Sequence, residues 1–424
     1  MRILHALTQT ELTGSEVFCR ELSQYQSRAG HELRFVLDEA HLDFPGALHL
    51  LPLSHSTAQE RKKIANALLP ILREFRPQVI HCHSRGAARH LVPLARRLRI
   101  PVLSTLHGRQ HFSLSKLLSP RSFGDHISVI CENLFQEMRE KYRFPSSHLH
   151  LIRNPISFSP SASEIADAEI APPHSFTHQK IQRLGWVGRA SGPKGNRFQH
   201  LVEHLFPTLL QKYPGLQLQV LCSNLSGSKL KTELEKLQSF FPGRVQMQDN
   251  RSDLRAWYRS QNWVLGGGRV AMEALAEGCQ ILVLGEHSFL GRLNLKNWAE
   301  AVASNFGDIG LKGAREQSLD LQLIARTFDE ILGDPQRTTE PAPKELKMLK
   351  ALLRREFDAE SVFYEFERIT RLCFWEQLVR GWIPCLMYHK VSPRDLESPH
   401  KTWITQARFE EHLKFFKKKG FTGL

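Results

Sequence analysis

The stretch Trp263 to Gly285 constrains this chain more than any other. It reads Trp-Val-Leu-Gly-Gly-Gly-Arg-Val-Ala-Met-Glu-Ala-Leu-Ala-Glu-Gly-Cys-Gln-Ile-Leu-Val-Leu-Gly. An apolar run meets consecutive glycines. A helical pattern follows, with Val270, Ala274 and Leu275 on one side. Gly278 stops it, and Ile281 to Leu284 forms a second apolar run. The order is strand, glycine loop, helix, buried strand. Glycines at Gly266, Gly267 and Gly268 let backbone approach a ligand closely, and a helix N-terminus offers free N–H groups to an anion. Glu273 falls about one turn into the helix, where a carboxylate can meet hydroxyls of a ligand. The same sequence also suits a plain β–α turn with Glu273 in solvent.

The alternation extends in both directions. Strands are expected at Arg2 to Leu7, Glu32 to Leu37, Leu48 to Leu53, Gln78 to Cys82, Val102 to Leu106, His126 to Ile130 and His148 to Ile152. Helices are expected at Gly14 to Ala29, Ala58 to Phe75, Ala87 to Leu98 and Glu132 to Tyr142. After a Ser-, Pro- and Ala-rich interruption the rhythm resumes. It gives strands at Ile181 to Val187, Leu216 to Cys222 and Arg244 to Gln246. It gives helices at Phe198 to Lys212, Lys229 to Phe240, Leu254 to Tyr258 and Leu321 to Leu332. Such alternation predicts an α/β fold of parallel sheets covered by helices. Two Rossmann-like domains facing across a cleft follow, with ligand at the strand C-terminal ends. The expected divisions are 1–156, a linker at 157–180, 181–343, helices over 344–381, and a separate segment at 382–424.

A chain of 424 residues with 41% hydrophobic content can bury more than one core. No apolar run is long enough to span a bilayer, and the start reads as a first strand rather than a secretory signal. The cysteines at 19, 82, 131, 222, 279, 373 and 385 are scattered, with no C-x-x-C pair. Buried free thiols in a reducing cytoplasm fit that pattern. The net charge of +14 favours polyanionic partners. Basic clusters occur at Arg96 to Arg99, Lys344 to Arg355 and Lys417 to Lys419. No RNP, zinc-finger or helix-turn-helix signature accompanies them. An anionic membrane surface at the inner face of the plasma membrane is therefore ranked above nucleic acid.

Several short segments occur together in a fixed order. They are Leu12-Thr13-Gly14-Ser15-Glu16, Arg28 to Leu33, Val79-Ile80-His81-Cys82-His83-Ser84, Ile100 to Gly108, Asp125 to Glu132, Ile152-Arg153-Asn154-Pro155-Ile156 and Gly185 to Gly195. In that order and spacing they resemble the GT-B glycosyltransferases of family 4, retaining enzymes that use nucleotide-sugar donors. The resemblance covers roughly Met1 to Leu378. It implies that Arg189 and Lys194 stabilise the departing diphosphate, which is sound electrostatics for a leaving group that gains negative charge. It implies donor contacts from Gly14, Gly188, Gly266, Gly267, Gly268 and Glu273, the last at a ribose hydroxyl. It implies a sugar contact from His107. In the E-x7-E motif of that family the first glutamate falls on Leu265, so the donor-sugar contact made there is missing. His81 and His83 are read as facing opposite sides of their strand, with neither catalytic. Neither a metal nor a cofactor is expected, the nucleotide-sugar being a substrate.

Trp382 to Pro393 and Ile404 to Phe421 resemble the opening strand and helix of a polysaccharide deacetylase. The aspartates and histidines that hold that family's metal are not matched, so this is read as a truncated deacetylase-like segment without deacetylase activity. Phe409, Leu413 and Phe416 are expected on one helix face. The leading expectation is sugar transfer from a nucleoside-diphosphate sugar, with retention, to a lipopolysaccharide or lipid-linked glycan. A catalytically silent nucleotide-sugar-binding protein and a nucleotide-sugar epimerase on the same architecture are the alternatives.

Overall fold

The computed structural model describes residues 1–8, 10, 13–54, 57–109, 120–158, 182–249, 254–310, 318–333, 343–380, 390–393 and 403–418. The chain divides into two compact units, Met1–Trp375 and Glu376–Leu424. The first unit holds two sheets. Strands β1 (Arg2–Leu7), β2 (Glu32–Leu37), β3 (Ala47–Leu50), β4 (Val79–Cys82), β5 (Val102–Leu106), β6 (His126–Val129) and β7 (Leu149–Leu151) lie in the order β3-β2-β1-β4-β5-β6-β7. Every neighbouring pair among them is parallel. The second sheet has β8 (Gln182–Arg189), β9 (Leu216–Ser223), β10 (Val245–Asp249), β11 (Trp263–Gly266), β12 (Gln280–Leu284) and β13 (Phe289–Arg292) in the order β10-β9-β8-β11-β12-β13. It is parallel except for β13, which runs antiparallel to β12. The expected α/β architecture of two Rossmann-like domains is therefore present.

Both sheets are covered on both faces. In the first, Leu4, Ala6, Ile80 and Cys82 pack with the helices Ala58–Phe75 and Arg85–Leu98. A capping box closes the start of the former: Thr57 accepts from the Glu60 N–H, and the Glu60 carboxylate accepts from the Thr57 N–H. Residues of the opposite parity face the helix Gly14–Arg28 and the long helix Ala359–Arg380. In the second sheet, Trp186, Leu265 and Phe198 share one core, and Val264, Ala271 and Leu275 share the other. The chain returns to the first domain at Ile156 and Asp358. The Ile156 N–H donates to the Phe357 carbonyl, and the Ala359 N–H donates to the Ile156 carbonyl. The long helix then packs Phe363, Phe366, Ile369 and Cys373 against Phe18, Val79 and Leu103.

The structure corrects several expectations. Phe198 to Lys212 is not one helix. It is Gly192–His204 followed by Phe206–Lys212, because Pro207 has no N–H for a continuous ladder and starts a helix more readily than it sits inside one. Strand β13 and the helix Trp298–Ala303 carry little signal. The first is a half-buried edge strand containing Gly291, and the second has only six residues. His81 and His83 point the same way, with ring centroids 4.0 Å apart. Residues two apart along extended chain share a face, so the opposite-sides reading is wrong. The six described cysteines are free and buried. Most of the linker at 157–180, the Pro-rich break at 334–342 and Leu386 to His389 lie outside the described residues.

In the second unit, β14 (Lys390–Ser392) pairs in parallel with β15 (Trp403–Thr405), and the helix Gln406–Lys418 follows. On that helix Phe409 and Phe416 are half-buried, whereas Leu413 is exposed.

Among the described glycines, the least room for a side chain is at Gly285. A Cβ there would lie 2.0 Å from the Gly307 carbonyl carbon. Backbone cannot swing aside as a side chain does. Gly285→Ala is expected to cost about 2–3 kcal/mol through overpacking, read as a lower melting temperature in calorimetry. Gly14→Ala, in open space, should leave the melting temperature nearly unchanged.

Candidate functional site

The strand C-terminal ends of the two sheets carry the residues singled out in sequence. Gly14 opens the helix Gly14–Arg28, and nothing would lie within 4 Å of a Cβ there. Gly108, two residues after β5, is equally open. His107 lies between them in chain position and packs its ring edge-on to Phe18 at 4.9 Å. Its Nε2 is sealed from solvent with no hydrogen-bond partner. Burial, reinforced by the positive charge of Arg269, lowers its pKa to about 4. The imidazole is therefore neutral at physiological pH.

Arg269 was not singled out by sequence. It begins the helix Arg269–Ala276 and crosses to the first domain, where Nη2 donates to both carboxylate oxygens of Glu21 at 2.8 and 2.9 Å. Its Nε donates to Glu273, one helical turn on. Burial opposes the charge, but the two carboxylates outweigh it and hold the guanidinium pKa above its ordinary value. The other Glu273 oxygen accepts from Tyr258 Oη at 3.4 Å. A ribose hydroxyl at Glu273 would thus share that carboxylate with Arg269. The i, i+4 spacing of Arg269 and Glu273 was a visible signal for their pairing. Glu21 had none, because it comes from another domain.

Lys194 lies in the first turn of the helix Gly192–His204 and Arg189 ends β8. Gly195 brings that helix against the strand end, since a Cβ would meet the Arg189 carbonyl oxygen at 2.5 Å. Gly188 has the indole of Trp186 over it. Lys194 Nζ donates to the Asp308 carboxylate at 2.8 Å and to the Gly267 carbonyl at 3.3 Å. Asp308 also accepts the Glu286 N–H at 3.1 Å. It is delivered by an unusual turn: Asn305, Phe306 and Gly307 all have positive φ, at 50°, 54° and 82°. Backbone of this kind persists only where packing over-determines it, and Phe306 is fully buried. The turn also reaches the first domain. Asn133 Nδ2 donates to the Ile309 carbonyl at 2.7 Å, and Arg109 Nη2 donates to the Gly310 carbonyl at 2.8 Å.

The glycine loop is filled by this same turn. A Cβ on Gly267 would meet the Phe306 carbonyl oxygen at 2.6 Å, and one on Gly268 would meet the Asp308 carboxylate at 2.2 Å. Gly266 faces Val270. Leu265 is fully buried in the core on the opposite face of β11 from the helix that bears Glu273. The arrangement sets a neutral histidine near a half-buried guanidinium, and a lysine held by a carboxylate at a glycine loop. Anionic groups that displace Asp308 would meet Lys194 there.

Residues 12–159 match the family model described as Glycosyltransferase Family 4. None of the curated proteins matches the chain. Among solved structures, a glycosyltransferase from Rickettsia africae is similar over 88% of this chain and 98% of its own, at 15% identity and a TM-score of 0.61. HepE of Anabaena, solved with UDP and glucose, is similar over 88% and 100%, again at 15% identity and a TM-score of 0.61. The lipopolysaccharide outer core galactosyltransferase WaaB is similar over 88% and 99%, at 13% identity and a TM-score of 0.55. The fold is the GT-B fold of glycosyltransferases.

Two outcomes test this site. Asp308→Asn keeps an oxygen for the Glu286 N–H but removes the charge that holds Lys194. It is expected to tighten binding of a nucleoside diphosphate about tenfold or more, the scale of one charged hydrogen bond, whereas Lys194→Ala weakens it. Calorimetry with equal affinity in all three proteins would remove Lys194 from the anion site. For His107, an NMR titration should give a midpoint near 4, and Arg269→Met should move the midpoint upward by removing the nearby positive charge. A midpoint at the ordinary 6.5 would mean that the ring is solvated.

Proposed function

We propose that this protein transfers a sugar from a nucleoside-diphosphate sugar to a glycan acceptor. The observation that carries the reading is the Family 4 match over 12–159 together with His107, at a strand end inside that segment, beside Arg269 of the second domain. In this reading Arg189 and Lys194 stabilise the departing diphosphate, with Gly188 and Gly266 to Gly268 allowing close approach. Charge opposite a developing anion lowers the barrier because it is fixed before reaction begins. His107, neutral and without a partner at Nε2, hydrogen-bonds the sugar as positive character develops on it. Glu273 holds the ribose when Arg269 turns wholly to Glu21. Transfer proceeds with retention, without a metal or other cofactor in the step.

The acceptor belongs to a cell-envelope glycan, a lipopolysaccharide or lipid-linked saccharide. The outer core galactosyltransferase among the similar structures supports this. So does a groove of 480 Å³ lined by Arg20, His41, Asp43 and Phe44 beside the helix Gly14–Arg28, which offers polar groups to a saccharide. No helix among the described residues is long and apolar enough to cross a membrane. The exposed Arg96, Arg97 and Arg99 suit peripheral contact with anionic lipid at the cytoplasmic face. The segment 382–424 is not assigned deacetylase activity.

A second reading is a silent nucleotide-sugar-binding protein. Leu265 in the core and Asp308 on Lys194 favour it. The two readings separate in one experiment. A thermal-shift screen against UDP-, GDP-, ADP- and dTDP-sugars finds the donor, because a ligand of the folded state raises the melting temperature. Turnover of that donor is then measured with envelope glycolipid extract. Transfer is expected, with His107→Ala lowering turnover far more than donor affinity. A donor that binds and is never consumed would leave the silent reading, and no shift with any donor would overturn both.

A further inference from the structure

The face of the first sheet that carries His107 at its rim holds a second group of side chains, which sugar transfer does not use. His5, His81 and His83 are 0%, 1% and 2% exposed. One ring nitrogen from each lies within 4.8 Å of those of the other two. The topology requires this closeness. His5 on β1 is in register with His81 on β4, and His83 lies two residues further on the same side.

Their nitrogens divide into an outer and an inner set. His5 Nε2 meets Gln26 Oε1 at 2.9 Å, and His81 Nε2 meets Thr105 Oγ1 at 2.7 Å. The Thr105 hydroxyl meets Ser128 Oγ, also at 2.7 Å. An amide oxygen only accepts, so His5 carries its proton on Nε2 and presents the Nδ1 lone pair inward. That atom accepts from His83 Nε2–H at 2.9 Å, a hydrogen bond that a bound ion would replace. His81 Nδ1 and His83 Nδ1 are buried with no hydrogen-bond partner. Unpaired polar atoms in a core are unfavourable, and apolar side chains would fill this space without them.

We propose that His5, His81 and His83 form a three-ligand site for a single zinc ion or similar late first-row cation, with a water or hydroxide as fourth ligand. Imidazoles suit such ions. His5 and His81 would bind through Nδ1 and His83 through Nε2, which gives the orphaned His81 Nδ1 a partner while His83 Nδ1 keeps none. Gln26 and Thr105 then accept the remaining N–H of two ligands, the outer hydrogen bonds that orient metal-bound histidines. Burial lowers the pKa of all three rings, which keeps them in the neutral form that a metal needs. Phe35, Phe18 and Phe366 pack against the trio. The ion is therefore taken up during folding and released only on opening. It ties β1 to the end of β4, where the His83 ring stacks on His107 at 6.2 Å.

The test uses the full chain, purified without a chelating tag or resin, and elemental analysis. A single bound ion is expected to survive dialysis against EDTA in the native state and to leave on unfolding. Gln26→Leu and Thr105→Val keep all three ligands and should weaken zinc binding by roughly 10–100-fold. His83→Gln should abolish it. His200→Ala with His204→Ala is the control, because His200, Glu203 and His204 form an exposed group on another helix; that variant should keep the ion. Loss of the ion in the control would assign it to the surface and overturn the proposal. A folded wild-type chain that holds no ion as isolated or after refolding with zinc chloride, and melts at one temperature with and without zinc, would also overturn it. The trio would then be a hydrogen-bonded core alone.

Discussion

The junction between the domains of the two sheets depends on one half-buried cation. Arg269 has Glu273 on its own helix and Glu21 on the other domain. An unpaired charge removed from water is costly, and pairing it with two carboxylates makes the arrangement tenable. The geometry of the cleft follows from that requirement. The helix Arg269–Ala276 must approach the helix Gly14–Arg28, and His107 then lies within the field of the guanidinium. A neutral His107 is thus a consequence of burial next to a cation that the interdomain contact demands.

The turn at Asn305–Gly307 is the second determinant. Its positive φ angles bring Asp308 to Lys194 and to the glycine loop, while Ile309 and Gly310 offer their carbonyls to the first domain. One short segment therefore touches Lys194, the glycine loop and the domain junction together. Glycine at 267, 285 and 307 is required because backbone packs on backbone there, and at 268 because the Asp308 carboxylate lies where a Cβ would be. The chain uses the space beside the loop itself, through a carboxylate.

The sheet and helix order was legible in sequence because both depend on local pattern. Strands such as Arg2–Leu7, Glu32–Leu37 and Val102–Leu106, and helices such as Ala58–Phe75 and Lys229–Phe240, fall on the expected residues. Their apolar spacing is set by which face is buried, and that is written residue by residue. The half-buried edge strand Phe289–Arg292 and the break before Pro207 carry weaker marks. The positions of His107 and Arg189 at strand ends and of Gly14 and Lys194 at helix starts were also readable, since motif and element boundary coincide. Asp308 and Glu21 were not. Their partners Lys194 and Arg269 lie more than a hundred residues away along the chain.

By itself, the sequence determined two parallel sheets wrapped in helices and a glycine loop at the head of a helix, because hydrophobic period and backbone permissiveness are local properties. The tertiary structure alone decided what fills that loop, which carboxylates neutralise Arg269, and that His5, His81 and His83 share one enclosed space. Each of those outcomes is a balance of charge or volume among groups brought together from distant parts of the chain. No local pattern encodes such a balance; it exists only once the strands are in register and the domains are in contact.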